Sequence, residues 1–191
     1  MINRELYMEQ ITPFIDKPFV KVITGIRRCG KSVVLRLIRE ELLRRGVSED
    51  YIIYMNFESF EWIDMKEAKA LYAHIREATK APGKYYILLD EIQEVTDWEK
   101  AVNAFLVDLD VDIYVTGSNS RLLSSEFSTY LAGRYVAFHI MTLSFREYLL
   151  FHDLPLTISV SDRKTEFLKY LRMGGFPAIH TANYDYNAIY K

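Results

Sequence analysis

Between Val22 and Ile38 the chain reads VITGIRRCGKSVVLRLI. An apolar run stops at Gly25, a short basic loop follows, and Lys31-Ser32 opens a new apolar pattern. The stretch GIRRCGKS (25–32) satisfies G-x-x-x-x-G-K-[ST] in full, and it lies between a strand-like and a helix-like segment, the setting this motif requires. Gly25 and Gly30 permit backbone angles and close approaches that a side chain blocks. The N–H groups of the loop then form a nest for phosphate oxygens, with a helix N-terminus behind them. Lys31 supplies a point charge for the outer phosphates, and the Ser32 hydroxyl is a small hard oxygen suited to Mg²⁺. Gly25, Ile26, Arg27, Arg28, Cys29, Gly30, Lys31, Ser32 and Val33 are therefore the expected contacts of a bound polyphosphate. Arg27 and Arg28 either add phosphate or partner contacts or stay solvated.

Two further stretches carry matching chemistry. YYILLDEIQ (85–93) is an apolar run ending in two carboxylates, which a parallel sheet would place at the edge where ligands bind. Asp90 is expected in a Mg²⁺ shell, mostly through water, and Glu91 as the base that polarises an attacking water. Taken alone the pair also reads as a solvated strand end; beside the glycine loop it reads as the other half of one site. In YVTGSNS (114–120), Asn119 or Ser118 either orients that water and senses the phosphate or caps the next helix. In LAGRYV (131–136), Arg134 either reaches a nucleotide as an arginine finger, in its own or a neighbouring subunit, or caps the preceding helix at the surface.

These residues need a scaffold that brings them to one edge. Five apolar runs, 19–24, 51–57, 85–90, 111–117 and 135–140, are near-continuous, as strands buried on both faces read. Helical patterns separate them. Val34, Leu35, Ile38 and Leu42 form one stripe, with Gly46 as its stop. Ala68, Leu71, Tyr72, Ile75 and Ala78 form a second, and TDWE (96–99) reads as a capping box before Trp98, Val102, Phe105 and Leu109. Leu123, Phe127 and Tyr130 suggest another. The alternation predicts an α/β layered core over residues 1–143. Residues 144–191 leave it: SFRE (144–147) is a second capping box, a helix follows through Phe167, Leu168 and Leu171, and GGFP (174–177) breaks it. This helical tail reads as a linker toward a further C-terminal domain.

The 191 residues carry a net charge of −2, so no global basic field draws the chain to nucleic acid. The arginine-rich segment 36–45 either forms a local basic strip that leaves nucleic acid a possible partner or, since its charges alternate with glutamates, reads as a solvated face. No apolar run approaches a membrane span, and the first ten residues lack a signal-peptide core. Cys29 is the single cysteine, which excludes an internal disulfide and a cysteine-rich zinc site and favours a cytoplasmic setting. A redox role for Cys29 rests on its place beside Arg28 and a helix N-terminus, where thiol pKa values fall; a small tolerated loop residue is the plainer reading. The four histidines show no metal spacing.

In the order GIRRCGKS, ILLDEIQ, VTGSNSRLLS, LAGRY, LSFREYL and GGFP, the chain resembles the prokaryotic AAA-type P-loop ATPases labelled AAA_14, from residue 1 to about 180. Those chains usually continue into a domain of unknown function, DUF4143, which is missing here. The resemblance implies a three-layer P-loop core with a mainly parallel five-stranded sheet, in which an additional strand lies between the P-loop strand and the Asp-Glu strand. It implies Glu91 as catalytic base, Asn119 as sensor, and Asn56 as a switch residue restraining Glu91.

The function expected is ATP hydrolysis with Mg²⁺, coupled to a conformational or assembly change. Adenine is favoured because the Asn-Lys-x-Asp signature of guanine sites is missing. A nucleotide switch with negligible turnover and a small-substrate kinase are the alternatives. Expected partners are ATP, a further copy of the chain and an unidentified protein.

Overall fold

A computed structural model of the chain describes residues 4–118, 122 and 131–181. Strands β1 (Val20–Gly25), β2 (Ile52–Asn56), β3 (Tyr85–Asp90), β4 (Val111–Gly117) and β5 (Tyr135–Ile140) coincide with the five apolar runs to within about one residue at each end. They form one sheet in the order β2-β3-β4-β1-β5, and all four pairings are parallel. β4 lies between β1 and β3, the additional-strand arrangement. The register sets Gly25 beside Ile140, Thr24 beside Gly117, and Asn56 beside Asp90. The carboxyl ends of all five strands thus share one edge.

Alternation along the strands divides the interior into two layers. Val20, Val22, Ile87, Leu89, Ile113 and Val115 face one core, closed by helices α3 (Ala68–Ala78) and α4 (Trp98–Asp108) through Leu71, Ile75, Val102 and Phe105. Ile23, Leu88 and Tyr114 face the other, closed by α1 (Glu5–Ile11) and α2 (Lys31–Arg44) through Tyr7, Ile11, Val34, Leu35, Ile38 and Leu42. Each fully buried leucine or isoleucine contributes about 1.5–3 kcal/mol of transfer free energy. The same alternation puts Tyr54, Asp90 and Thr116 on the α2 side of the sheet, which is the side the glycine loop occupies. α2 ends in a Schellman motif: Val47 N–H bonds Leu42 C=O at 3.1 Å and Gly46 N–H bonds Leu43 C=O at 2.9 Å. Gly46 supplies the left-handed φ of 89° that this closure needs.

The two capping-box patterns meet different fates. Ser144 caps helix α5 (Phe145–Phe151) reciprocally with Glu147, as the spacing predicts. TDWE does not form its box. Thr96 pairs instead with the segment before α3, its N–H on Lys66 C=O at 2.9 Å and its C=O accepting Ala68 N–H at 3.1 Å. Asp97 then turns into the left-handed region, φ 56°, and α4 starts without a side-chain cap.

The tail continues through α6 (Val160–Met173) and α7 (Pro177–Thr181), with Gly174 at φ 75° ending α6. Phe145 meets Phe167 edge-on at 5.1 Å, and Tyr148 O–H donates to Glu166 at 3.0 Å. Phe167, Leu168 and Leu171 remain about half exposed. The stripe Leu123, Phe127 and Tyr130 lies outside the described residues. His152 and His180 share a hydrogen bond, Nε2 to Nδ1 at 3.1 Å. Burial first, and the facing His180 second, hold the His152 imidazole below its ordinary 6.5. The folded state therefore favours neutral His152. Its contribution is complete above pH 6.5 and is lost as pH falls through the lower folded value. Amide exchange of residues 145–151, corrected for intrinsic rates, is expected to accelerate relative to β1 and β4 between about pH 7 and about pH 5.5. A constant ratio across that range would contradict the assignment.

Candidate functional site

The loop 25–32 is built as its glycines demand. Gly25, at φ 153°, passes so close to β5 that a Cβ there would strike the Ile140 carbonyl oxygen and stand 2.8 Å from Cys29 Sγ. Gly30 holds φ 109° at the N-cap of α2, and Arg28 occupies the left-handed region at φ 66°. Cys29 N–H closes the turn on Ile26 C=O at 3.2 Å, and the N–H groups of Val33 and Val34 both bond Gly30 C=O at 3.1 Å. The first-turn N–H groups of Lys31 and Ser32 precede the helical ladder, so they are donors for a ligand. Ile26, Arg27 and Arg28 are exposed, Ser32 and Val33 are half-buried, and Lys31 is 4% exposed.

Lys31 Nζ stands 3.2 Å from Glu91 Oε1, joining the loop to the Asp-Glu strand end. Glu91 sits at φ 54°, ψ 49°, an unfavourable conformation for a glutamate that is held from several sides. Its N–H donates to Thr116 Oγ1 at 3.0 Å, and its Oε2 accepts from Gln93 Nε2 at 2.6 Å. Thr116 in turn donates its hydroxyl to Asp90 Oδ1, so one β4 side chain fastens both acidic residues. Asp90 is fully buried, and its Oδ2 accepts from Tyr54 O–H at 3.1 Å. Burial first, then the Asp90 charge, push the Tyr54 phenol well above its ordinary value, so it remains a donor. Gln93 Oε1 is buried, has no hydrogen-bond partner among the described residues and lies against Gly117. Flipping the amide would face its oxygen to the Glu91 carboxylate, so the orientation is fixed.

Thr116, Gln93 and Tyr54 are thus site residues that the motif reading passed over. Thr116 and Gln93 stood inside the quoted stretches, as polar groups one or two positions from the residues singled out. Asn56, expected to restrain Glu91, instead accepts the Glu58 N–H at 2.9 Å, and Lys31 and Gln93 hold the Glu91 carboxylate. Asn119 lies outside the described residues; Ser118 accepts the Leu122 N–H at 3.1 Å through its carbonyl. Arg134 stands just before β5, at the amino edge of the sheet, and donates to Asn103 Oδ1 at 3.2 Å. The length of β5, about 20 Å at ~3.3 Å per residue, separates it from the loop, so it does not join the site of its own chain. Arg27 and Glu58 form an exposed pair at 3.4 Å, which contributes little.

Cys29 is fully buried, and that burial raises its thiol pKa. Loss of hydration outweighs the Lys31 and Arg4 charges, so the redox reading does not hold. Native Cys29 is expected to react with iodoacetamide roughly tenfold slower than in urea, or slower still, because each ~1.4 kcal/mol of local opening costs a factor of ten. Equal rates would mean that the loop opens freely.

The donor set suits a phosphate-bound Mg²⁺. No cluster of three His, Cys, Asp or Glu able to cage a metal occurs among the described residues. Mg²⁺ at phosphate sites takes one or two protein oxygens and completes its shell from water and phosphate, a pattern Ser32 and Asp90 can serve. No helix among the described residues is long and apolar enough to cross a membrane.

A model of the AAA domain family (AAA_14) matches residues 17–149. An uncharacterized protein of Haemophilus influenzae is 43% identical over 186 residues, covering 96% of this chain and 46% of its own. An uncharacterized protein of Methanocaldococcus jannaschii, MJ1544, is 35% identical over 184 residues, covering 94% and 39%. The chain thus spans less than half the length of these relatives. Among solved structures, AMPPCP-bound DnaA from Aquifex aeolicus superposes with a TM-score of 0.59 at 16% identity, over 94% of this chain and 60% of that one. Thermotoga maritima RuvB gives 0.58 at 13% identity, over 94% and 59%. Aeropyrum pernix ORC1, solved in complex with DNA, gives 0.54 at 16% identity, over 94% and 58%. At these identities the likeness is one of fold.

Proposed function

This chain belongs to the AAA domain family, whose P-loop fold supports nucleotide binding, and we propose that it is a Mg²⁺-dependent ATPase that couples hydrolysis to a conformational or assembly change. The observation that carries this reading is the convergence of Lys31, Glu91, Asp90 and Thr116 beside an intact glycine loop. In this reading the loop amides and Lys31 hold the β- and γ-phosphates, and Ser32 and Asp90 serve the cation. When bound, Mg²⁺ supplies neutralisation of phosphate charge. Glu91, freed from Lys31 as that ammonium turns to phosphate, orients a water in line with the γ-phosphorus and draws off its proton. Gln93 and the Glu91–Thr116 bond fix where that carboxylate stands. The sensor role stays with Asn119.

Arg134, exposed at the far edge, can meet a nucleotide only from a neighbouring copy, so a homo-oligomer belongs to the proposal. Residues 1–143 serve as the ATPase core and 144–191 as the connection to the remaining length its relatives possess; an unidentified protein partner and a cytoplasmic setting complete the reading. Nucleic acid is a possible partner that the net charge of −2 does not indicate.

The Lys31–Glu91 ion pair also favours a second reading, a nucleotide-held switch with negligible turnover, because the base is sequestered until phosphate displaces it. Phosphate release from ATP, measured with Mg²⁺ and without any acceptor, separates the two. Steady accumulation that stops on chelation supports the ATPase; tight binding without release supports the switch.

A further inference from the structure

The Arg4 side chain touches the glycine loop, the residue that follows β5 and the tail together. It is 2% exposed, far from the usual fate of an arginine. Nη1 donates to Cys29 C=O at 3.0 Å, Nη2 to Met141 C=O at 2.9 Å, and Nε to Glu147 Oε1 at 2.6 Å. Its guanidinium lies 4.7 Å from the centroid of the Tyr7 ring, whose hydroxyl accepts the Met141 N–H at 3.0 Å. A Cβ at Gly30 would stand 3.1 Å from Nη1.

The bond to Cys29 has a directional consequence. A trans peptide is planar, so its C=O and N–H point opposite ways. With the Cys29 carbonyl turned to Arg4, the Gly30 N–H is turned away from it, toward the face where phosphate is held. Glu147 divides its carboxylate: Oε1 takes Arg4, while Oε2 accepts the Ser144 N–H at 2.8 Å and hydroxyl at 2.9 Å in the α5 cap. The planar guanidinium fork makes all three bonds at once; a lysine ammonium has no such geometry.

We infer that Arg4 is a positioning residue that sets the 29–30 peptide for phosphate, and that Glu147 ties this setting to helix α5. Loop occupancy and the tail are thereby one linked equilibrium: what strengthens the Arg4–Cys29 bond steadies α5, and the reverse holds by thermodynamic reciprocity. The inference rests on the nucleotide-binding reading above.

The test measures, on the whole chain, the affinity for a fluorescent adenine nucleotide and the exchange of residues 145–151 with and without saturating ADP. Wild type, Arg4→Gln, Arg4→Lys and Glu147→Gln are compared. Affinity is expected to fall roughly tenfold in Arg4→Gln, with Arg4→Lys failing to restore it, and about threefold in Glu147→Gln. ADP slows exchange of α5 in wild type, and that slowing disappears in Arg4→Gln even at saturation. A merely structural arginine would lower the melting temperature and leave both readouts in place, which would overturn the inference. If Arg4→Gln does not fold, Glu147→Gln carries the same two readouts. A wild type that binds nucleotide as tightly as its variants removes the inference alone; one that binds none removes the nucleotide reading with it.

Discussion

Lys31→Ala is expected to weaken ATP binding by roughly 10²-fold, the loss of about 3 kcal/mol of charge-assisted contact to phosphate. Lys31 is nearly buried, and its ammonium stands 3.2 Å from Glu91, so water has little room to replace it. The substitution also leaves Glu91 without its cation, and a freed carboxylate at the mouth of the loop repels the incoming phosphates. The two effects act in the same direction. Equilibrium titration with a fluorescent ATP analogue measures their sum, and a loss below about threefold would mean that Lys31 is not a phosphate contact.

The largest stability effect is expected at the opposite edge of the sheet. Lys21 of β1 and Asp112 of β4, diagonal to one another since Lys21 stands beside Tyr114, form an ion pair with side chains 0% and 1% exposed. Asp112 also accepts the Tyr114 hydroxyl at 2.8 Å and the Asp16 N–H at 2.9 Å, and Lys21 donates to Lys17 C=O at 2.9 Å. Burial draws the Lys21 ammonium below its ordinary value against the pull of Asp112. Asp112→Ala strands that cation and two further donors, the Tyr114 hydroxyl and the Asp16 N–H, at a cost of about 3–5 kcal/mol. That is a large share of a typical domain's stability. Urea unfolding reads it directly. A change under about 1 kcal/mol would mean that water reaches Lys21. Nucleotide affinity of the folded fraction is expected to stay put, since the pair lies away from the loop.

Strands and the glycine loop were legible because their signals are local. An unbroken apolar run such as YYILLD has one economical fate in a layered fold, and G-x-x-x-x-G-K-S needs its glycines where φ of 153° and 109° occur. The β4 insertion followed from family resemblance, since the order of strands in a sheet is not written in their composition. What escaped were contacts made across long separations. Arg4 meets Glu147 across 143 positions, and Thr116 meets Asp90 across 26. Neither pair has a spacing that marks it. The failed box at TDWE shows the same limit from the other side. Its residues suit a cap as well as those of SFRE do, but the backbone of Thr96 is taken by the segment before α3. Arg134 was legible as an arginine after a turn, but only the strand register shows which edge it occupies.

The decisive measurement compares Mg²⁺-dependent phosphate release and nucleotide affinity in wild type and Glu91→Gln. Glutamine keeps the size of Glu91 and loses the base and the ion pair to Lys31. Release is expected to fall by roughly 10²–10⁴-fold, the usual contribution of a positioned base. Affinity should hold or rise, because Lys31 is no longer engaged. Undiminished release by Glu91→Gln would contradict Glu91 as the base and, with it, the proposed hydrolytic site.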